Sequence, residues 1–272
     1  MRVTAPASSA NLGAGFDAIG LALDLPFTFV VGETSPDDML PCDEHHPASV
    51  AFGLAGGVAP QRWWRSPIPP GRGLGFSGAA RVAGALAGAL ESGLDDRAAR
   101  ARALEVACEL EGHPDNAGAS MLGGLVVSAG GRSIRVPIAA ELEVVVWWPA
   151  AETSTDRSRA TLPERVPMAD AVFNIGRAAL LVASLATGDL TALETATRDR
   201  LHSDRRLASS PSTRDAVDAM RRSGALATWL SGSGPTAAAF VERGTSAPVL
   251  ASVAGNGTAR VLTIDTTGAR AE

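Results

Sequence analysis

The sequence predicts an α+β protein of two domains. Stretches with the β-branched and aromatic content of strands are interspersed with stretches of helical periodicity, without the strict βαβ rhythm of a doubly wound sheet. A chain of 272 residues that is 46% hydrophobic can bury two small cores. We expect the boundary between them near residues 145–152, which gives domains of 1–148 and 149–272.

The elements of the first half follow from local patterns. Residues 21–31 are apolar and predict a strand, whereas the Pro- and Gly-rich stretch 60–75 predicts irregular structure. Residues 78–90 are small and apolar on nearly all sides, which is typical of a helix buried against a sheet. A second helix is expected over 95–111, because two aspartates suit its positive N-terminus and Gly112 suits its end.

The second half alternates strands and helices. Apolar segments rich in β-branched and aromatic residues predict strands, and segments of helical period predict helices. The predicted strands are 122–128, 142–148, 226–230, 236–241 and 259–264, and the predicted helices are a short one near Met121 and longer ones over 168–187, 189–201 and 213–223.

The composition limits the partners. A net charge of −5 argues against a general nucleic-acid or membrane-surface partner, which would favour a basic face. The two cysteines, Cys42 and Cys108, lack metal-like spacing, so neither a disulfide framework nor a zinc site is indicated. With no charged-then-apolar leader and no run of about 18 apolar residues, the sequence predicts a soluble cytoplasmic protein.

The sequence contains no lysine, so all 24 basic residues are arginine. This excludes every mechanism that needs a lysine. Among these are the phosphate-binding lysine of a P-loop, a Schiff base and a lysine general base.

A glycine-rich loop precedes the predicted helix 78–90. Its glycines allow main-chain N–H groups to turn toward one point, and the helix adds unpaired N-terminal donors and a partial positive charge. The loop lacks the Lys-Ser/Thr ending of a P-loop and the preceding strand of a dinucleotide-binding motif. We interpret it as a third kind of polyphosphate-binding loop, in which Ser77 could add a hydroxyl; an ordinary turn before a buried helix is the alternative.

This loop resembles the Pro-x-x-x-Gly-Leu-Gly-Ser-Ser-Ala motif of the GHMP kinase superfamily. Pro69 or Pro70, the run Gly73-Leu74-Gly75 and Ser77 match, whereas Phe76 replaces the first serine and Gly78 the alanine. The resemblance implies a two-domain GHMP kinase fold, with an N-terminal domain like domain 2 of ribosomal protein S5 and a ferredoxin-like C-terminal domain. It also implies that ATP is bound by Pro69, Pro70, Gly71, Arg72, Gly73, Leu74, Gly75, Phe76, Ser77 and Gly78.

The N-terminal run 5–20 is interrupted by polar residues and glycines where a core strand would stay apolar, so we predict a binding loop. It resembles the opening motif of homoserine kinases, Pro-x-x-Ser-Ala-Asn-Leu-Gly-x-Gly-Phe-Asp. The resemblance implies that Asn11 and Asp17 are catalytic and hold the substrate, with Asp17 accepting from an ammonium group. Local turn hydrogen bonds of these side chains are the alternative.

Residues 111–116 read Glu-Gly-His-Pro-Asp-Asn, which combines metal-binding and hydrogen-bonding groups within six residues. The run resembles a homoserine kinase motif. The resemblance implies that Glu111 binds Mg²⁺ and that His113, Asp115 and Asn116 contact the substrate. The Ser77 hydroxyl, which could reach a phosphate or the metal, is the second predicted metal ligand.

Three further segments resemble the same family. Residues 154–160 match Ser-Thr-x-x-x-Arg-Ala, which implies that Thr155 and Arg159 are catalytic and that Arg159 also binds the substrate. Residues 202–206 match His-x-x-x-Arg, which implies that Arg206 binds the substrate. Two guanidinium groups suit a substrate carboxylate, because each offers two parallel donors. The glycine turn 230–237 matches the third superfamily motif and is expected beside the phosphate loop.

The resemblance implies an ATP- and Mg²⁺-dependent kinase that phosphorylates the hydroxyl of a small amino acid, homoserine, and it leaves a homodimer possible. Two alternatives stay open: another GHMP kinase acting on a sugar or isoprenoid alcohol, and a metabolite-binding protein without catalysis. Arg159, Arg206 and Asp17 favour a zwitterionic substrate. The region 33–65 contains no segment that matches a motif of the family. Within it, Trp63 or Trp64 either stacks on a nucleotide base or packs in the core.

Overall fold

The computed structural model describes residues 1–32, 37–150, 155–255 and 257–272, and the backbone alone of 155–157. This part of the chain contains two antiparallel sheets flanked by helices, which confirms the α+β class. The strands are β1 (Arg2–Ala10), β2 (Ile19–Val31), β3 (Leu40–Pro41), β4 (Arg62–Arg65), β5 (Leu125–Ala129), β6 (Arg132–Val136), β7 (Leu142–Trp148), β8 (Ala227–Leu230), β9 (Ala237–Glu242), β10 (Thr258–Thr263) and β11 (Arg270–Ala271).

The first sheet has the order β11-β1-β2-β4-β3, and β5 joins it by pairing with both β2 and β6. The second sheet has the order β10-β7-β9-β8. The helices are α1 (Pro47–Leu54), α2 (Phe76–Glu91), α3 (Asp96–Glu111), α4 (Asp115–Leu122), α5 (Thr155–Ala160), α6 (Met168–Thr187), α7 (Leu193–Ala196), α8 (Ser203–Ala208), α9 (Pro211–Arg222) and α10 (Ala247–Ser252).

Helix α2 is the central helix of the first domain. Of the residues predicted to be buried on nearly all sides, 78–80 and 82–89 are buried, because α1, α3 and the first sheet cover the helix, whereas Arg81 and Leu90 are half-buried. The glycines of α2 permit α1 to lie close to its backbone. A Cβ on Gly84 would lie 1.9 Å from the carbonyl oxygen of Ala48, and one on Gly88 would lie 2.2 Å from the carbonyl oxygen of Phe52. The small side chains of α2 therefore allow α1 to pack against its backbone.

The predicted termini of α3 are confirmed. The Asp95 side chain accepts from the N–H of Ala98 at 2.8 Å, and Gly112 ends the helix with a φ of 75°. This end places Glu111 in the last turn of α3, and α4 begins three residues after Gly112.

Three sequence predictions are wrong. Residues 5–10 are not a loop but belong to β1, where Ser8 and Ser9 are buried and hydrogen-bonded to distant side chains. Residues 62–65 form strand β4, because the two tryptophans pair along β2. The helix expected over 189–201 is reduced to a 3₁₀ turn (Leu190–Ala192) and the four-residue α7, because the Asp199 side chain accepts the N–H groups that begin α8.

The domain boundary between residues 148 and 149 stays a prediction. Strand β7 precedes that boundary but pairs with β9 and β10 in the second sheet. A division by sheet would thus place β7 with the C-terminal half. The chain returns to the first sheet at its end, where β11 pairs with β1.

Helix α6 is apolar on its exposed side. Met168, Val172 and Ile175 are largely exposed. Within the described residues, α6 is the one helix long and apolar enough to cross a membrane by length and composition, which differs from the expectation that no such segment exists. A single helix of this kind is weak support for a membrane span, because helices of soluble proteins pass the same test.

Candidate active site

A cleft between the two sheets collects most of the predicted site residues. Its empty volume, including the open mouth, is about 710 Å³. The predicted residues that line it are Asn11, Asp17, Pro69, Gly71, Arg72, Gly73, Gly75, Phe76, Ser77, Glu111, His113, Asp115, Asn116, Arg159 and Arg206.

Four predicted residues stand apart from this lining. Pro70 and Gly78 lie beside the cleft rather than on its wall, and the side chain of Leu74 is buried in the core, so only its backbone could reach a ligand. Thr155 begins α5, and its side chain lies outside the described residues.

The glycine loop presents unpaired donors to the cleft. Gly71, Gly73 and Gly75 all have positive φ values, and Gly75 immediately precedes the first residue of α2. Among the described residues, no backbone N–H from Gly73 to Gly78 donates a hydrogen bond within the protein. A turn of free N–H groups at a helix N-terminus is an anion-binding site.

Hydrogen bonds from the second half of the chain fix the carbonyl groups of this loop. The Ser231 hydroxyl donates to the Gly73 carbonyl at 2.6 Å, and the Thr236 hydroxyl donates to that of Arg72. The loop is closely approached there, since a Cβ on Gly73 would lie 2.5 Å from the Ser231 carbonyl oxygen. The glycine turn 230–237 therefore lies against the phosphate loop, as its motif predicts.

Phe76, the departure from the superfamily motif, packs into an aromatic cluster. Its ring meets those of Phe27, His46 and Trp64 edge-on, with centroids 5.6–6.0 Å apart. Trp64 stacks on Phe27 with an interplanar angle of 7°. This packing supports the core role for Trp64, and it accounts for an apolar residue at a position where a hydroxyl is usual.

The loop after β1 has a strained backbone. Asn11, Leu12, Gly13 and Asp17 all have positive φ values, a conformation that asparagine, aspartate and glycine tolerate best. The Asn11 side chain stabilises the loop, because its oxygen accepts from the N–H of Asp17 at 3.0 Å and its amide donates to the Gly232 carbonyl at 3.1 Å. The local-turn interpretation thus holds for Asn11, which also lines the cleft.

Asp17 and Arg159 form a bidentate ion pair across the cleft. Nη1 of Arg159 lies 2.9 Å from Oδ2 of Asp17, and Nη2 lies 2.9 Å from Oδ1. The hydrogen bond to Asp17 is the main cause of a raised pKa for Arg159. Two elements far apart in sequence therefore present one positive and one negative group at the same point.

Arg206 is a buried cation with no acidic partner among the described residues. Its side chain is only 5% exposed, and no carboxylate of the described residues lies within 4 Å of it. Burial, followed by the charge of Arg159, lowers the pKa of Arg206. Its Nε has no hydrogen-bond partner among the described residues. A buried guanidinium in this state is ready to bind an anion.

His113 is bound to Asp115 beside the cleft. Its Nδ1–H donates to the carboxylate at 2.6 Å, and Asp115 is only 1% exposed. Burial lowers the pKa of His113, but the hydrogen bond and charge of Asp115, with the charge of Glu111, outweigh it, so the pKa is raised. Asn116 lies alongside, its side-chain oxygen accepting from the Ser8 hydroxyl at 2.9 Å.

Glu111 and Ser77 offer oxygen ligands on one wall of the cleft. The Glu111 Oε1 accepts from Arg81, whereas its Oε2 accepts no hydrogen bond from the described residues. The Ser77 hydroxyl likewise has no partner among them. One free carboxylate oxygen and one hydroxyl are hard ligands of the kind that Mg²⁺ prefers, so these residues fit a magnesium ion.

A second group could also hold a metal. One ligand atom each from Asp17, His113 and Asp115 lies within 4.8 Å of the others. These side chains already form ion pairs, however, because Asp17 binds Arg159 and Asp115 binds His113. Glu111 with Ser77 remains the better candidate.

Sequence reasoning missed two residues at the site. Arg81 was not considered, although it lies four residues after Ser77 and hence on the same face of α2. The motif 202–206 assigns no role to His202, although this residue is buried and contacts Arg206. Helical spacing could have found both, because His202 lies four residues before Arg206, whereas the contact of His202 with Gly13 has no local signal.

The family models for GHMP kinases match both halves of the chain. The model of the GHMP kinases N terminal domain matches residues 51–124, and that of the GHMP kinases C terminal region matches 181–257. A homoserine kinase of Thermus thermophilus is 38% identical over 266 residues, which cover 92% of this chain and 89% of the relative. The chain belongs to the homoserine kinase family of GHMP kinases.

Other relatives agree with this family across the whole chain. A homoserine kinase of Streptomyces avermitilis is 41% identical, and the match covers 99% of this chain and 94% of the relative. The crystal structure of homoserine kinase from Cytophaga hutchinsonii superposes with a TM-score of 0.84 at 25% identity, covering 99% of this chain and 96% of that one. The predicted GHMP kinase fold is confirmed.

Proposed function

We propose that this protein transfers the γ-phosphoryl group of ATP to the side-chain hydroxyl of L-homoserine. A bond forms between the hydroxyl oxygen and the γ-phosphorus, and the bond to the β-phosphate oxygen breaks. The products are O-phospho-L-homoserine and ADP, a step of threonine biosynthesis.

The observation that carries this proposal is that one cleft holds two kinds of complementary group. Free N–H groups of residues 73–78 suit the phosphates of ATP. Asp17, Arg159 and Arg206 suit a substrate that carries both an ammonium and a carboxylate. A neutral sugar has neither charge, and mevalonate has a carboxylate but no ammonium group for Asp17, so the amino-acid substrate is favoured.

Each residue has a proposed role in positioning the reactants. Arg206 and Arg159 would bind the carboxylate, and Asp17 would accept from the ammonium group. His113, Asp115, Asn116 and Asn11 would shape the pocket around the hydroxyl, and Thr155 belongs to the catalytic group by family resemblance alone. Charge stabilisation and alignment would supply most of the acceleration, as is general for phosphoryl transfer.

A magnesium ion, when bound, would supply positive charge that offsets the negative charge of the phosphates. Glu111 and Ser77 would hold it. Arg81 would have to share or release Glu111, since it contacts one of the two carboxylate oxygens.

The test is an assay of ADP release with ATP, Mg²⁺ and a panel of L-homoserine, L-threonine, L-serine, mevalonate and galactose. We expect the highest kcat/KM with L-homoserine. Turnover of mevalonate or galactose alone would favour another GHMP kinase activity, and no turnover of any alcohol would favour a metabolite-binding protein. Analysis of the product by phosphorus NMR identifies the phosphorylated oxygen.

By the same family resemblance, we propose that the protein acts in the cytoplasm and forms a homodimer. Light scattering coupled to size-exclusion chromatography measures the mass in solution, where a monomer of 27.7 kDa would contradict the dimer.

A further inference from the structure

His202 is a buried imidazole that the proposed chemistry does not use. It is 1% exposed and lies behind the cleft, at the point where the loop after β1 meets α8. Its Nε2 is 2.8 Å from the Gly13 carbonyl oxygen, which can only accept, so Nε2 carries the proton. The other ring nitrogen, Nδ1, lies 3.3 Å from Nη1 of Arg206.

This geometry fixes the state of the ring. A guanidinium only donates, so Nδ1 must present its lone pair to Arg206. Burial lowers the pKa of His202, which favours the neutral ring that such a pair of contacts requires. The same Nη1 of Arg206 donates to the Gly232 carbonyl at 3.0 Å, so two acceptors hold one end of the guanidinium.

The backbone around His202 is held as firmly as its ring. The Asp199 carboxylate accepts from the N–H groups of Leu201, His202 and Ser203 at 2.6–3.0 Å. Asn174 of α6 donates to Asp199 at 2.6 Å. The imidazole therefore has little freedom to move away from Arg206.

Phe16 completes the arrangement. Its ring centroid lies 5.0 Å from that of His202, and the guanidinium carbons of Arg159 and Arg206 lie 5.6 Å and 5.4 Å from it. One aromatic ring thus contacts both cations of the predicted carboxylate site. The charges of these two groups repel each other, and after burial the charge of Arg159 is the next cause of the lowered pKa of Arg206.

We infer that His202 is a positioning residue, which orients Arg206 through Nδ1 toward the carboxylate of the amino-acid substrate. The inference rests on the proposed function, because it assigns Arg206 to that carboxylate. It assigns His202 no contact with ATP or with the reacting hydroxyl. Loss of the Nδ1 acceptor should therefore weaken the binding of substrates that have a carboxylate, and of those alone.

Two substitutions separate the two ring contacts. In His202→Asn the side-chain oxygen occupies the position of Nδ1 and can still accept from Arg206, whereas the donor to Gly13 is lost. In His202→Gln the amide nitrogen occupies the position of Nε2 and can still donate to Gly13, whereas the acceptor is lost. His202→Leu removes both contacts, and His45→Leu, at an exposed histidine, is the control.

The experiment compares KM and kcat for L-homoserine with those for its analogue in which a hydroxymethyl group replaces the carboxylate. We expect His202→Leu and His202→Gln to raise the KM for L-homoserine about tenfold, because each loses one hydrogen bond to a charged group. His202→Asn should stay near wild type, and kcat and the KM for ATP should change less than about twofold in all three. With the analogue, no variant should differ from wild type by more than about twofold.

The inference is overturned if both substrates lose affinity equally, or if His202→Asn is as impaired as His202→Gln. If His202→Leu does not fold, as judged by thermal unfolding, the comparison of the Asn and Gln variants decides alone. A wild-type protein that turns over no amino acid would overturn the proposed function and this inference together. A wild-type protein active on L-homoserine, with variants unchanged, would overturn only the inference.

Discussion

Arg81 of α2 donates a hydrogen bond to Glu111 at the end of α3, so the carboxylate assigned to Mg²⁺ is already paired with a cation. The Glu111 side chain is 5% exposed and that of Arg81 is 25% exposed. Both the guanidinium and a magnesium ion would favour the same negative charge. A magnesium ion bound by Glu111 would therefore compete with Arg81 for this carboxylate.

This competition predicts that Arg81→Gln binds magnesium more tightly. We expect the half-saturating Mg²⁺ concentration to fall about threefold or more at fixed ATP, because a nearby positive charge is removed. A Mg²⁺ titration of initial rates measures it, with Arg97→Gln at an exposed position of α3 as the control. An unchanged or higher half-saturating concentration would show that Arg81 does not compete.

Glu111→Gln should abolish most of the activity. The amide keeps the shape of the side chain but removes its negative charge, so we expect kcat/KM to fall by about 100-fold or more. Rates at saturating L-homoserine over a range of Mg²⁺ concentrations measure the loss. A variant with wild-type rates would refute the metal role of Glu111.

Arg159→Lys should separate charge from geometry. Lysine retains the positive charge but cannot form the two parallel hydrogen bonds to Asp17. We expect kcat/KM for L-homoserine to fall about tenfold or more, with the KM for ATP within about twofold of wild type. Arg165→Lys, at an exposed position nearby, is the matched control. Equal effects of the two substitutions would contradict the assignment.

The raised pKa of His113 predicts that the stability of the fold depends on pH. Its pKa is raised above the ordinary 6.5, so the folded protein binds the proton more tightly than the unfolded chain. The stabilisation is complete below the unfolded pKa and is lost as the pH rises through the folded pKa. Urea unfolding of wild type and His113→Gln should show a free-energy difference that is largest in acid and shrinks toward alkaline pH. A difference that grows with pH would reverse the assigned shift.

Phe76→Ser would restore the hydroxyl that the superfamily motif carries. Since Phe76 is packed against Trp64, Phe27 and His46, we expect the free energy of unfolding to fall by about 1–3 kcal/mol, less than for a fully buried phenylalanine. Phe76→Leu should lose less, because it keeps apolar volume. Equilibrium urea unfolding measures both. A serine variant as stable as wild type would show that the aromatic cluster contributes nothing there.

The elements that could be predicted from sequence are those with local signals. Helices α3 and α6 follow from their periodicity, and α3 also from an aspartate cap and a terminal glycine. Strand β1 could not be predicted, because its polar residues are satisfied by partners far along the chain. The Ser8 hydroxyl is hydrogen-bonded to Asn116 and that of Ser9 to Ser231, and the local sequence around these serines does not indicate either partner.

The same distinction holds for the site. The glycine loop and the run 111–116 could be recognised because each carries its groups within a few residues. The ion pair of Asp17 with Arg159 and the contact of His202 with Gly13 depend on the fold, which brings the loop after β1 against α5 and α8. Family motifs named most of these residues, but their mutual distances came only from the structure.

The hydrogen bonds from Ser231 and Thr236 to the carbonyls of Gly73 and Arg72 join the two sheets at the phosphate loop. A fragment that ends before β8 would keep the glycine sequence but lose the groups that hold its backbone. Affinity for nucleotide should consequently report whether the two halves of the molecule are docked. A fluorescent ATP analogue could therefore follow their separation in mild denaturant.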